Sequence, residues 1–225
     1  MDGLPGGPVA KRALHMFLLC DCSGSMRGEK IDSLNRSVRD SLGPTKEVAA
    51  KNANAALFLS VIGFGRKVDW LSEHVRIQDF RWKDLEAEQG APTPLGAALT
   101  NLAMHLQVPP LPPRGLRPVV ILISDGMPTD DWESGVQRIL DQKWGNMAVR
   151  LAIAIGKDAQ HEVLRRFIRD ESIPVLTARN PEMLARHIVW ASTSAVRESS
   201  ASRTREERPF SDPPAGGESI GPEIW

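Results

Sequence analysis

The run from Ala13 to Cys20 is apolar apart from His15 and has no polar alternation. That pattern belongs to a strand covered on both faces. It ends abruptly at Asp21-Cys22-Ser23-Gly24-Ser25. Ile31, Leu34, Val38 and Leu42 then recur at helical spacing, which predicts a helix over Glu29 to Leu42 stopped by Gly43-Pro44, followed by a second short helix over Thr45 to Asn54. Ala56 to Phe64 reads as the next strand. After the turn Gly65-Arg66-Lys67, Val68 to Leu71 or beyond returns antiparallel, because the connection is too short for a crossover. Asp79 to Glu88 mixes Phe80, Trp82 and Leu85 with charges and reads as a loop with one helical turn. Pro94 opens a helix to about Gln107, with Leu95, Leu99, Leu102 and Leu106 on one face. Pro109 to Pro113 reads as a stiff polyproline spacer leading to the next strand.

The buried run Val119 to Ile123 again ends in an acid, at Ser124-Asp125-Gly126. A helix is predicted from about Asp131 to Lys143, a buried strand over Val149 to Ile155 and a helix over Ala159 to Arg169. A short edge strand over Val175 to Thr177 follows, then a last helix capped by Asn180 and running to about Val196. Strand and helix alternate throughout, which specifies an α/β domain: a three-layer sandwich, Rossmann-like, with a mostly parallel central sheet, one antiparallel edge strand and helices on both faces. Ligands of such sheets bind beyond the carboxyl ends of the strands, where strand order reverses. If the strands carrying Asp21 and Asp125 are neighbours at that switch, their side chains meet in one crevice.

Composition narrows the function classes. The 225 residues are 41% apolar, enough for one well-packed domain. The expected organisation is a flexible N-terminus over 1–12, one domain over 13–196, and a disordered tail over 197–225 whose Ser, Arg, Glu, Pro and Gly cannot build a core. Trp225 at its end reads as an anchor or a frayed terminus. Lys plus Arg and Asp plus Glu both number 28, so no global field favours nucleic acid or an anionic membrane. No apolar run reaches the ~20 residues of a membrane span, and Met1 to Ala10 lacks the order of a secretory signal, so a cytoplasmic location is expected. Cys20 and Cys22 are too close for an ordinary structural disulfide and read as small, partly buried thiols. The tryptophans within helices or beside strands read as core.

The chemistry gathers at the strand ends. Asp21, Ser23 and Ser25 sit in the turn leaving the first strand, Gly24 lets that turn fold tightly, and Asp125 stands at the equivalent end of another strand. Thr93 precedes a helix between them. Neutral hydroxyls converging with carboxylates are what a hard divalent cation requires.

These residues, D-x-S-x-S at Asp21, Ser23 and Ser25, a separate Thr93, and Asp125 in an S-D-G strand end, resemble the metal-ion-dependent adhesion site of von Willebrand factor A domains. The stretches Gly24 to Glu29, Thr93 to Gly96 and Ser124 to Asp130 look most similar to the bacterial tellurite-resistance, TerY-type branch. The resemblance covers about Ala13 to Val196. It implies Mg²⁺ or Mn²⁺ held by Asp21, Ser23, Ser25, Thr93 and Asp125, with Thr93 joining directly in a ligand-bound state. It also implies a partner rim of Met26, Arg27, Pro94, Met127 and Asp130, although Asp130 and Asp131 read more simply as the start and first turn of a helix. The implied function is a metal-dependent protein–protein interaction module with no catalysis, whose partner supplies an Asp or Glu, in a stress-response system alongside a Ser/Thr kinase and a PP2C-type phosphatase. The alternative is a Mg²⁺-dependent phosphohydrolase using Asp21, but such enzymes resemble D-x-D, and Ser23 occupies the second position here. The sequence has no P-loop, and its five histidines are scattered.

Overall fold

A computed structural model describes residues 11–156 and 159–198. The expected N-terminal and C-terminal segments, Trp225 included, lie outside the described residues except at their inner margins. Among the described residues, one sheet of six strands runs in the order β3-β2-β1-β4-β5-β6, comprising β1 (Arg12–Asp21), β2 (Ala55–Phe64), β3 (Val68–Arg76), β4 (Val119–Ser124), β5 (Val149–Ile155) and β6 (Leu176–Ala178). Every pairing is parallel except β2 with β3. The helices are α1 (Glu29–Lys51), α2 (Leu95–His105), α3 (Trp132–Leu140), α4 (Lys143–Met147), α5 (His161–Ile168) and α6 (Pro181–Glu198).

The unbroken apolar run of β1 divides its side chains between two cores. Leu14, Met16, Leu18 and Cys20 face the layer that includes Leu34 and Val38 of α1 and Leu184 and Ile188 of α6. Phe17 and Leu19 face Leu95, Leu99 and Leu102 of α2, Val136 of α3 and Phe167 of α5. This is the covered parallel sheet that the pattern predicts. From β1 the chain winds outward through β2 and β3 on one side and β4, β5 and β6 on the other, so the order reverses between β1 and β4. These two strands pair from Met16↔Val119 to Cys20↔Ile123, which brings Asp21 level with Ser124.

Several elements differ from the sequence-based expectation. The two predicted helices over Glu29 to Asn54 are one, because α1 continues through Gly43 and Pro44. Both residues lie on its exposed face, while Thr45 and Ala49 beyond them are buried and extend the stripe of Ile31, Leu34 and Val38. The helical turn expected within Asp79 to Glu88 sits earlier, where Phe80 N–H donates to Arg76 O at 3.0 Å. The remainder is an extended strap clamped by buried Asn35, whose side-chain amide donates to Leu85 O at 2.9 Å and accepts from Leu85 N at 2.8 Å. Pro109 to Pro113 is no stiff spacer: Leu111 N–H donates back to Gln107 O at 3.1 Å, Leu111 is buried, and Trp144 Nε1 donates to Pro112 O. The helix expected to reach Lys143 stops at Leu140, and α4 starts afresh where Gly145 lies against Ile139 O with no room for a Cβ. Asn180 caps α6 as predicted, its Oδ1 accepting from Met183 N at 2.9 Å.

Candidate metal centre

Asp21 closes β1 and is fully buried. Its Oδ1 accepts from Ser23 N at 2.8 Å and its Oδ2 from Ser124 Oγ at 2.5 Å. Burial pushes its pKa up to about 6, the negative Asp125 adds to that rise, and the hydrogen bonds from Ser124 and Ser23 oppose it. The chain then turns through a single 3-10 turn, Gly24–Met26. Gly24 is required here for close approach, since a Cβ at this position would stand 2.9 Å from Gly90 N, and Gly24 N–H donates to Ala91 O at 3.0 Å. The turn places Ser23 Oγ 3.0 Å from Ser25 Oγ, and Ser25 Oγ donates to Asp125 Oδ1 at 2.8 Å. Asp125 Oδ2 takes the Lys30 ammonium from the first turn of α1.

Thr93 is buried and fastened to the loop after β4. Its N–H donates to Thr129 Oγ1 at 3.1 Å, and Thr129 N–H returns a bond to Thr93 O at 3.0 Å. Gly126 completes the arrangement. A Cβ built on it would lie 3.4 Å from both Ser25 Oγ and Thr93 Oγ1 and 3.9 Å from Asp21 Oδ2. Three oxygens, two from the end of β1 and the turn leaving it and one from the segment before α2, therefore lie around one small space on the loop after β4 that only a residue without a side chain leaves open. Hydroxyls and carboxylates are the donors that Mg²⁺ and Mn²⁺ prefer over softer nitrogen and sulfur ligands. The donor set and the cradle fit such a cation.

The structure thus brings together Asp21, Ser23, Ser25, Thr93 and Asp125. Around them, Arg27 is exposed, Pro94 is half-buried and Met127 is 63% exposed. Met26 corrects the expected rim: its side chain is fully buried in the core beneath the turn and presents nothing to a partner. Asp130 is exposed, but both its oxygens cap α2, accepting from Gly96 N at 2.8 Å and Ala97 N at 2.9 Å. Asp131 caps α3 through Ser134 N. Sequence reading assigned no role to Lys30 or to the Ser124 hydroxyl. Ser124 had a signal in its place directly before Asp125, whereas Lys30 had none. Cys20 and Cys22 are free thiols, and burial pushes the Cys22 pKa up to about 12, with the Asp21 charge adding to it, so neither is a reactive thiolate at neutral pH.

No protein-family profile matches the chain, and no curated protein does. Solved structures do. A von Willebrand factor type A protein from Catenulispora acidiphila superposes with a TM-score of 0.62 at 16% identity, over 83% of this chain and 43% of that one. The ArnB paralog VWA2 from Sulfolobus acidocaldarius gives 0.57 at 19% identity, over 78% and 44%. Proximal thread matrix protein 1 from the mussel byssus, in a structure described as having a zinc-occupied MIDAS motif, gives 0.57 at 16% identity, over 81% and 48%. The chain spans less than half the length of these proteins. No helix among the described residues is long and apolar enough to cross a membrane. At these identities the likeness is one of architecture, and the fold of this chain is that of a von Willebrand factor A domain.

Proposed function

We propose that this chain is a metal-dependent protein–protein interaction module, in which Asp21, Ser23, Ser25, Thr93 and Asp125 hold one Mg²⁺ or Mn²⁺ and a partner's Asp or Glu completes the coordination. The observation that carries this reading is the space at Gly126, bounded by Ser25 Oγ, Thr93 Oγ1 and Asp21 Oδ2. Bound there, the ion would supply a Lewis-acidic anchor for an incoming carboxylate. The residues keep that anchor electropositive: the hydroxyls are neutral, and the charge of Asp125 is already met by Lys30. Asp21 is fully buried with both oxygens hydrogen-bonded, which suits orienting a site and is a poor arrangement for a nucleophile. Arg27, Pro94 and Met127 form the surface on which a partner would land, around the buried Thr93. The resemblance of Gly24 to Glu29, Thr93 to Gly96 and Ser124 to Asp130 to the TerY-type branch supports, as part of this proposal, a role in a cytoplasmic stress-response system with a Ser/Thr kinase or a PP2C-type phosphatase as the partner class.

Calorimetry and affinity capture test this together. Gly126→Ala fills the space at contact distances of 3.4 Å, which the fold tolerates. It should lower Mg²⁺ affinity by more than about tenfold, roughly 1.4 kcal/mol, while the thermal melt without metal stays close to wild type. The Asp21→Ala, Asp125→Ala double variant should bind no Mg²⁺, and Thr93→Ala should lose partner capture more than metal binding, with Thr93→Ser restoring part of it. Equal Mg²⁺ binding by wild type and the double variant refutes the site. Partner capture indifferent to chelator and to Thr93 refutes the mechanism.

A further inference from the structure

At the amino ends of β4 and β5, opposite the end that carries Asp21 and Asp125, the surface opens into a cavity of about 320 Å³. At ~30 Å³ per water, that is room for about ten water molecules. Arg117 ahead of β4, Arg150 on β5 and Arg169 just after α5 all line it, together with Asp170 and Glu171. Arg150 is buried, while Arg117 and Arg169 are exposed. Its Nε donates to Phe167 O at 2.9 Å and one terminal nitrogen to Gly145 O at 3.2 Å, so the guanidinium is wedged between the ends of α4 and α5.

Two backbone carbonyls orient a guanidinium but do not neutralise it, and three of its five N–H donors remain for other acceptors. Among the described residues, no carboxylate forms an ion pair with Arg150. Asp170, the nearby acid, has Oδ1 engaged by Ser172 N at 3.0 Å and Ser172 Oγ at 2.6 Å. Burial holds the Arg150 pKa below its ordinary value, the positive Arg169 and Arg117 depress it further, and Asp170 opposes them by less. A buried cation with like charges for neighbours is costly unless an anion joins it.

We propose that this cavity binds a phosphate monoester dianion between Arg117, Arg150 and Arg169. A carboxylate brings two oxygens and a single charge, whereas a phosphoryl group offers three terminal oxygens and up to two charges, the better match to a site with three guanidinium groups. Arg150 provides the fixed donor at the base, Arg117 is held at the mouth with its Nε donating to Met147 O at 2.8 Å, and the remaining donors of Arg117 and Arg169 take the other oxygens. The site is separate from the Gly126 space and independent of what binds there.

The test uses the full chain stripped of metal, so that phosphate cannot be held at the other end of the sheet. The probes are inorganic phosphate, AMP with adenosine as control, and a phosphoserine peptide with its unphosphorylated counterpart. Inorganic phosphate should bind saturably, the two phosphate-free controls should not, and the tighter of AMP and phosphopeptide identifies the source of the phosphoryl group. Arg117→Gln combined with Arg169→Asn, the latter chosen because Asn tolerates the left-handed backbone at φ 59°, should weaken phosphate binding by about tenfold or more without moving the thermal melt. In wild type, which needs no variant, the arginine Nε–H NMR signals of Arg150 and Arg169 should shift with phosphate along the same saturation curve. Absence of saturable phosphate binding below about 10 mM, or binding that leaves those signals and the double variant's affinity unchanged, overturns the proposal.

Discussion

Lys30 donates to Asp125 Oδ2 from the first turn of α1 and so places a monovalent cation on a carboxylate assigned above to a divalent ion. The Asp125 side chain is 1% exposed and that of Lys30 is 23% exposed. Deleting the ammonium leaves a buried charge unpaired, which costs about 1–3 kcal/mol once the contact of Lys30 with water is allowed for. Added Mg²⁺ would return the missing countercharge. Lys30→Met should therefore melt below wild type without metal and be raised further than wild type by saturating Mg²⁺, while Lys30→Arg behaves like wild type in both. Equal Mg²⁺-induced shifts in wild type and Lys30→Met would show that Lys30 has no share in the charge balance of the site. At this scale the sequence made Asp21, Ser23, Ser25, Thr93 and Asp125 legible because each stands where an apolar run or a helix begins or ends. Lys30 was not legible, because the direction of a long flexible side chain depends on how α1 lies across the end of β4. The burial of Met26 was hidden for the same reason: one residue after exposed Ser25, the 3-10 turn points back into the core.

Among the elements, α1 shows where local signals lose to packing. Gly43-Pro44 is a sound stop signal by itself, since proline lacks an N–H and glycine is entropically costly in a helix. The helix continues because the penalty falls on the exposed face, while Thr45 and Ala49 keep the opposite face buried and α1 packs along α6. A Cβ on Gly43 would meet nothing within 4 Å. Gly43→Ala should accordingly stabilise the domain by about 0.5–1 kcal/mol, a rise of roughly 1–4 °C in Tm, read by calorimetric melting. A fall would mean that α1 needs its glycine to bend at this point. The strands were the most legible elements, because an apolar run without alternation has few other homes than a covered sheet, and β5 matches its expected range residue for residue. The strap from Asp79 to Glu88 was not legible. Its conformation is set by Asn35, some 50 positions away in the chain, and such a clamp leaves no periodicity in the strap itself.

Across the whole molecule, the winding from β1 in both directions separates three chemistries: oxygen donors at the carboxyl ends of β1 and β4, arginines at the amino ends of β4 and β5, and histidines on the β3 side of the sheet. Three of the five histidines, scattered in sequence, assemble in space. His15 Nδ1 lies 3.2 Å from His74 Nδ1, the His74 and His105 rings are 5.9 Å apart, and His105 Nε2 meets Glu73 Oε2 at 2.9 Å. His15 also stacks on Phe58, over which Arg76 lies, and the Nε2 atoms of His15 and His74 are buried without a hydrogen-bond partner among the described residues. Burial, and secondarily His74, lowers the His15 pKa from 6.5 to about 4. Burial lowers that of His74 as well, with His105 adding to the shift and Glu73 opposing it. For His15 the sign is fixed: the unfolded chain takes up a proton below about pH 6.5 and the folded chain does not until about pH 4. Its contribution to stability is fully present above pH 6.5 and is lost as pH falls towards 4. Asp21, with its pKa raised to about 6, acts in the opposite sense, but it is common to wild type and any His15 variant and cancels between them. His15→Phe keeps the ring on Phe58 and removes an unpaired buried nitrogen, but it also takes away the partner of His74 Nδ1, so it should melt somewhat below wild type at pH 7.5. Between pH 7 and pH 5 it should lose roughly 3–6 °C less in Tm than wild type does, with a residual slope from His74. Parallel Tm-versus-pH curves for the two proteins would show that His15 is already protonated in the folded chain at pH 5, and that burial on this edge of the sheet is too shallow to hold it neutral.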